Sequence, residues 1–195
     1  MHAYQVDVEK RNKPLWTLMA IASVITAALV SWLNSQELHP AIKNFAPAPS
    51  AFVVFLLLYL IFDKWLWTLA PTRWFFSICE PNLTGEWTGK LKSNTHGKEI
   101  DLTIRIKQRW SKIAISISFD KSTSSSFSAS ILCSKSLPVL VYNYDNTPHE
   151  RDSDTMTRHI GTAELVLKDE NTLSGNYFNS GDRKTEGSIV VTRKK

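Results

Sequence analysis

The side chains in this chain that could do chemistry are suited to holding a molecule rather than to breaking one. Ser93, Asn143, His159, Asn179 and Thr185 offer hydroxyl, amide and imidazole groups, Tyr144 and Tyr177 add phenols, and Arg151, Arg158 and Lys184 add fixed cations. Such a set suits a ligand carrying both phosphates and bases, with Arg151, Arg158 or Lys184 on the phosphates and Tyr144, Asn143, Asn179 or Thr185 on the bases. The sequence has no phosphate-cradling glycine loop, no metal-ligand spacing and no nucleophile with an ordered base, so no catalytic residue, metal or cofactor is expected. Asp145, Asp152, Asp154 and His149 lack fixed spacing and read as a solvated loop, while Ser122–Ser126 reads as a low-complexity turn. His159, alone on its strand, reads as a hydrogen-bonded wall residue.

These groups can converge only if the chain delivers them to one place. From Leu83 onward the hydropathy pattern alternates between turn-forming residues, predicting eight strands over about 85–94, 98–108, 111–120, 126–134, 138–145, 157–167, 171–179 and 184–193. Most connections are short, which implies an antiparallel meander that closes into a small all-β barrel without open edges. Alternation places Trp87, Gly89, Leu91 and Ser93 inward on the first strand, Ile100, Leu102, Ile104 and Ile106 inward on the second, and Ile113, Ile115, Ile117 and Phe119 inward on the third. It also places Phe127, Ala129 and Ile131 inward on the fourth, Val139, Val141 and Asn143 on the fifth, His159 on the sixth, Asn179 on the seventh and Thr185 on the eighth. In a meander, Ser93, Asn143, His159, Asn179 and Thr185 then meet at one rim, and Trp87, Ile106, Ile113, Leu173 and Val191 at the other. The polar rim also receives the long connection 145–157 with Arg151, followed by Arg158, and lies near Lys98, Lys121, Arg183 and Lys184.

Bulk charge narrows the ligand class. The chain of 195 residues has 23 Lys and Arg against 18 Asp and Glu, but residues 80–195 hold 17 against 14, only mildly basic. That argues against DNA or RNA, which need a strong cationic face, and leaves a small anion open. Cys79 and Cys133 read as free thiols in a reducing compartment.

Two runs without any charge, Leu15–Leu33 and Asn44–Phe62, each 19 residues long, precede the β half. Each is long enough to cross a hydrocarbon core of about 30 Å, so residues 15–78 read as a two-helix transmembrane hairpin after a cytoplasmic segment, 1–14. Lys10, Arg11 and Lys13 flank one side and Lys64 and Arg73 the other, with Lys43 alone between the runs. By the positive-inside rule both termini, and the ligand-sensing barrel of residues 80–195, are cytoplasmic. Trp16, Trp32, Trp65, Trp67 and Trp74 read as interfacial belts. Ser23, Ala27 and Ser31 form a small-residue face that packs either on the second helix or on another copy.

This order of parts, with Leu83-Thr84-Gly85-Glu86-Trp87-Thr88-Gly89, Leu173-Ser174-Gly175-Asn176-Tyr177 and Thr185-Glu186-Gly187, resembles the two-transmembrane, β-strand-rich effectors of bacterial CBASS anti-phage defence. The resemblance implies a cyclic di- or oligonucleotide as activating ligand, homo-oligomerisation on binding, and disruption of the inner membrane by the helices, killing the infected cell. Two other readings remain beside it, a membrane-tethered lipocalin-like carrier of an apolar ligand and a β-barrel docking module.

Overall fold

The computed structural model describes residues 1–9, 11–36, 50–94, 97, 99–150, 157–180 and 185–194. They form two compact units, one of Met1–Val8 with Cys79–Lys195, the other of Glu9–Ile78.

In the helical unit, α1 (Lys13–Ser35) carries Pro14 in its first turn, where the missing N–H has no helical partner to lose. It is the one helix among the described residues long and apolar enough to cross a membrane. The second, α2 (Ala51–Lys64), starts where the Ser50 hydroxyl accepts the Val53 N–H and ends 14 residues later. At 1.5 Å per residue it spans roughly 21 Å, short of a hydrocarbon core of about 30 Å. A 3₁₀ turn (Leu66–Thr68) and α3 (Ala70–Phe76) follow. The expected pair of spanning helices is thus one within the described residues, and 37–49, where the second uncharged run begins, lie outside them.

Two expectations for this unit are corrected. Ser23, Ala27 and Ser31 are exposed, whereas Leu18 and Ala22 are buried, so of the two readings of the small-residue face it is packing within the chain that the structure does not bear out. Trp16, Trp32, Trp65 and Trp74 are exposed as interfacial residues would be, but Trp67 is fully buried, as is Phe62, against which the mostly buried Phe76 ring sets its edge at 5.5 Å.

The other unit opens with two very short strands, β1 (His2–Ala3) and β2 (Gln5–Val6). Eight longer ones follow: β3 (Gly85–Ser93), β4 (Glu99–Gln108), β5 (Lys112–Ser118), β6 (Ser122–Leu132), β7 (Val139–Pro148), β8 (His159–Asp169), β9 (Thr172–Asn179) and β10 (Glu186–Arg193). Each of the eight pairs antiparallel with its successor, and β10 pairs with β3, so the expected antiparallel eight-stranded barrel closes. Its base is an aliphatic and aromatic plug. Trp87, Ile104, Ile113, Leu165, Leu173 and Val191 are fully buried. The Trp87 indole N–H donates to the Leu83 carbonyl at 3.1 Å, and the Arg193 guanidinium lies 4.4 Å above its ring. Arg193 also donates to the Asn82 and Thr84 carbonyls, tying the last strand to the start of β3.

The wall is uneven. Strands β3 and β10 pair from Trp87–Ser93 to Gly187–Arg193, whereas β5 and β6 pair only over Ser116–Ser118 and Thr123–Ser125. Beyond that the two part, because β6 has a bulge between Ser126 and Ser128 that bends it away. The N-terminus fills the gap: His2 and Ala3 pair with Ile113 and Lys112 of β5, and Gln5 and Val6 run parallel beside Ser130 and Ile131 of β6. Tyr4, between them, is buried in the barrel core.

The inward phase differs from expectation on two strands, and the bulge accounts for the first. On β6 it switches the inward phase from Ser122 and Ser124 to Ala129 and Ile131 and turns Phe127 out to solvent, 53% exposed. The serine run is therefore strand, not turn. On β7 the inward residues are Leu140, Tyr142, Tyr144 and Asn146, so Asn143 faces outward rather than into the mouth.

Candidate ligand-binding mouth

At the end of the barrel away from the Trp87 plug, aliphatic packing gives way to hydrogen bonds. The Tyr144 hydroxyl donates to Asn179 Oδ1 at 2.8 Å, and Asn179 Nδ2 donates to the Thr185 hydroxyl at 2.7 Å. This relay crosses β7, β9 and the start of β10. It needs Gly161 on β8, because a Cβ there would stand 2.4 Å from the Tyr144 ring and hydroxyl and 2.7 Å from Asn179 Oδ1. Gly187 plays the same part for Tyr177, whose Cε1 would lie 2.8 Å from a Cβ. Gly161 and Gly187 thus leave room for tyrosine rings, whereas a Cβ at Gly89 or Gly175 would meet the backbone of the neighbouring strand.

A second cluster lies beside the first. Asn146 Nδ2 donates to the hydroxyls of Ser122 at 3.0 Å and Ser124 at 2.8 Å, all three residues buried. Asn146 Oδ1 and the Tyr142 hydroxyl have no hydrogen-bond partner among the described residues. Burial of polar atoms without partners is costly, so this end has hydrogen-bonding capacity that the chain does not use itself. Burial pushes the phenols of Tyr142 and Tyr144 upward, with Tyr177 adding to the shift of Tyr144. Both are neutral hydrogen-bonding groups at physiological pH.

The residues expected at the rim separate as follows. Tyr144, Asn179 and Thr185 are joined in one relay; Tyr177 and Ser93 are buried nearby on β9 and β3, their strands linked through Gly187. His159 is half-buried at the start of β8 and its Nδ1 lies 3.1 Å from the Thr157 carbonyl, the wall role expected of it. Asn143 belongs to an outer-face ladder, receiving the Thr162 hydroxyl at 2.6 Å and donating to the Ser128 hydroxyl at 2.8 Å. Arg158 forms a bidentate ion pair with Asp145, whose carboxyl that guanidinium holds below the usual carboxylate range. Its side chain is 72% exposed, so a phosphate would compete with one carboxylate in water. Arg151 and Lys184, with Lys98 and Arg183, lie outside the described residues.

Sequence reasoning puts Tyr142 near this rim beside Tyr144 and Tyr177, but it does not reach Asn146, Ser122 and Ser124. The signal was there, in the period-two series Tyr142, Tyr144, Asn146 and Ser122, Ser124, Ser126, but the alternating valines of β7 pointed to the opposite face. Across the wall from the relay, an open groove of about 420 Å³ runs along β3, β4 and the end of β5, with Lys90, Asp101, Phe119 and Asp120 on its sides. Among the described residues no three His, Cys, Asp or Glu side chains are placed to hold a metal ion.

Comparison with known proteins agrees with this architecture. Residues 78–193, the barrel from just before its first long strand to its last, match the family model described as Cap15, cyclic dinucleotide receptor domain. The protein called CD-NTase-associated protein 15 from Yersinia aleksiciae is 32% identical over 181 residues, covering 90% of this chain and 85% of that protein. The second match is longer than the barrel and so extends into the helical segment. A closed antiparallel barrel coextensive with the first match, and a relative alike over nine-tenths of the chain, place this protein in the Cap15 cyclic dinucleotide receptor family of CBASS effectors.

Proposed function

We propose that the barrel binds a cyclic di- or oligonucleotide at its polar mouth, that binding drives homo-oligomerisation, and that the helical segment then disrupts the bacterial inner membrane. The observation that carries the reading is the Tyr144–Asn179–Thr185 relay beside the unpartnered Asn146 carbonyl and Tyr142 hydroxyl. It offers neutral donors and acceptors for bases, while Arg158, Arg151 and Lys184 supply charge for phosphates. The whole uncharged run 44–62 completes a second crossing in this reading, which leaves both termini and the barrel in the cytoplasm. Binding shifts assembly only as far as the nucleotide prefers the assembled state to the monomer. A carrier of apolar ligands fits less well, because bulky side chains such as Trp87, Ile104 and Leu165 fill the apolar end.

The test is thermal melting of the full-length protein in detergent with cyclic di-AMP, cyclic di-GMP, cyclic GMP-AMP and a cyclic trinucleotide. A specific ligand at a hundred times its Kd adds about 2.7 kcal/mol, a rise of several degrees. No change with any of them would overturn the reading.

A further inference from the structure

The N-terminus supplies a piece of the barrel wall that the eight long strands lack. Where β5 and β6 part, their unpaired edges would be open templates for another strand. His2–Ala3 and Gln5–Val6 occupy them. Among the described residues the segment's side-chain fastenings are mostly polar. His2 Nε2 lies 2.8 Å from the Ser126 hydroxyl, the Asp7 carboxylate accepts from the Cys133 and Ser134 N–H groups, and Tyr4 is the one side chain of this segment in the buried core. The Tyr4 hydroxyl accepts from Gln108 Nε2 at 3.2 Å, and the Gln108 carboxamide also holds Leu83 N–H and the Pro81 carbonyl. One glutamine thus grips both chain segments that lead to the helices.

We infer that the β5–β6 seam is a strand-acceptor site, filled by residues Met1–Val8 of the same chain in the monomer and by those residues of a second copy when protomers assemble. This rests on the reading that a nucleotide drives assembly. Two considerations bear on a second copy as the alternative occupant. An identical segment repeats every contact, so exchange changes little in the energy of each slot. The segment is joined to α1 by residues 8–12, which reach about 17 Å when fully extended, so exchange requires the second seam to lie within that reach. The seam is also next to the mouth: Ser126, which holds His2 and accepts the Ile115 N–H, pairs across the strands with Tyr144. A ligand that moves the Tyr144 phenol therefore acts on the strand that grips the N-terminus.

The test uses two full-length chains, both with Cys79→Ser and Cys133→Ser, one carrying Ala3→Cys and the other Lys112→Cys, an exposed cross-strand pair. They are mixed, exposed to the same cyclic nucleotides, oxidised, and scored for the disulfide between chains; Gln5→Cys with Ser130→Cys is the second pair should the first fail to fold. Exchange predicts a severalfold rise in cross-linked heterodimer with the nucleotide that raises the melting temperature. A melting shift without heterodimer overturns strand exchange and leaves ligand binding standing. If no nucleotide shifts melting, the ligand reading fails, and co-incubation just below the melting temperature decides the seam alone: heterodimer upholds the acceptor site, and its absence overturns it.

Discussion

The two ends of the barrel use one alternating pattern for different purposes. At the base, inward positions are filled by Trp87, Ile113, Leu173 and Val191, and the indole N–H has its carbonyl. At the mouth, the corresponding positions hold Tyr144, Asn146, Asn179 and Thr185, linked by hydrogen bonds and left with acceptors unused. The difference separates apolar packing from polar hydrogen bonding along the barrel axis. A fully packed base lets the mouth keep unpaired polar groups without unfolding the domain.

The largest effect expected on that comparison is at the base. Trp87→Ala removes the plug and should cost about 3–5 kcal/mol, seen as a fall in melting temperature of well over ten degrees, while any folded fraction still responds to nucleotide. Gly161→Ala comes next, since the new Cβ meets Tyr144 and Asn179 at under 3 Å. It should cost about 1–3 kcal/mol and abolish the nucleotide-induced melting shift, whereas equal loss of stability at the base would leave that shift in place. Tyr144→Phe takes one hydrogen bond from Asn179, about 1 kcal/mol of stability, and should weaken nucleotide binding about tenfold by titration calorimetry.

Arg158→Ala should move the melting temperature least, because its pair with Asp145 is exposed. The Asp145 carboxyl, held low by that guanidinium, should return to the ordinary carboxylate range in an NMR titration. In the wild type the pair's contribution is present above that ordinary range and is lost as pH falls through the lowered value. Arg158→Ala should therefore flatten stability against pH only on the acid side.

Sequence alone reached the base more fully than the mouth. Periodicity assigns Trp87, Ile104 and Ile115 inward on β3, β4 and β5, where the structure buries them; it fails at Ile100, which is 41% exposed near the start of β4. The bulge at Phe127 broke the phase of β6, and no local residue type announces it. On β7, Val139 and Val141 outweighed Tyr142 and Asn146 in a hydropathy pattern, although β-branched residues also favour the outer face of a strand. The N-terminal strands were invisible for another reason. Two paired residues carry no period, and their stability comes from a gap made by strands more than 100 residues away.

The claim that the mouth, rather than the base, receives the nucleotide is tested most directly by comparing nucleotide-induced melting shifts for wild type, Asn179→Leu at the mouth and Ile113→Val at the base. The account predicts that the shift is lost in Asn179→Leu and kept in Ile113→Val. A shift that survives in Asn179→Leu would contradict it.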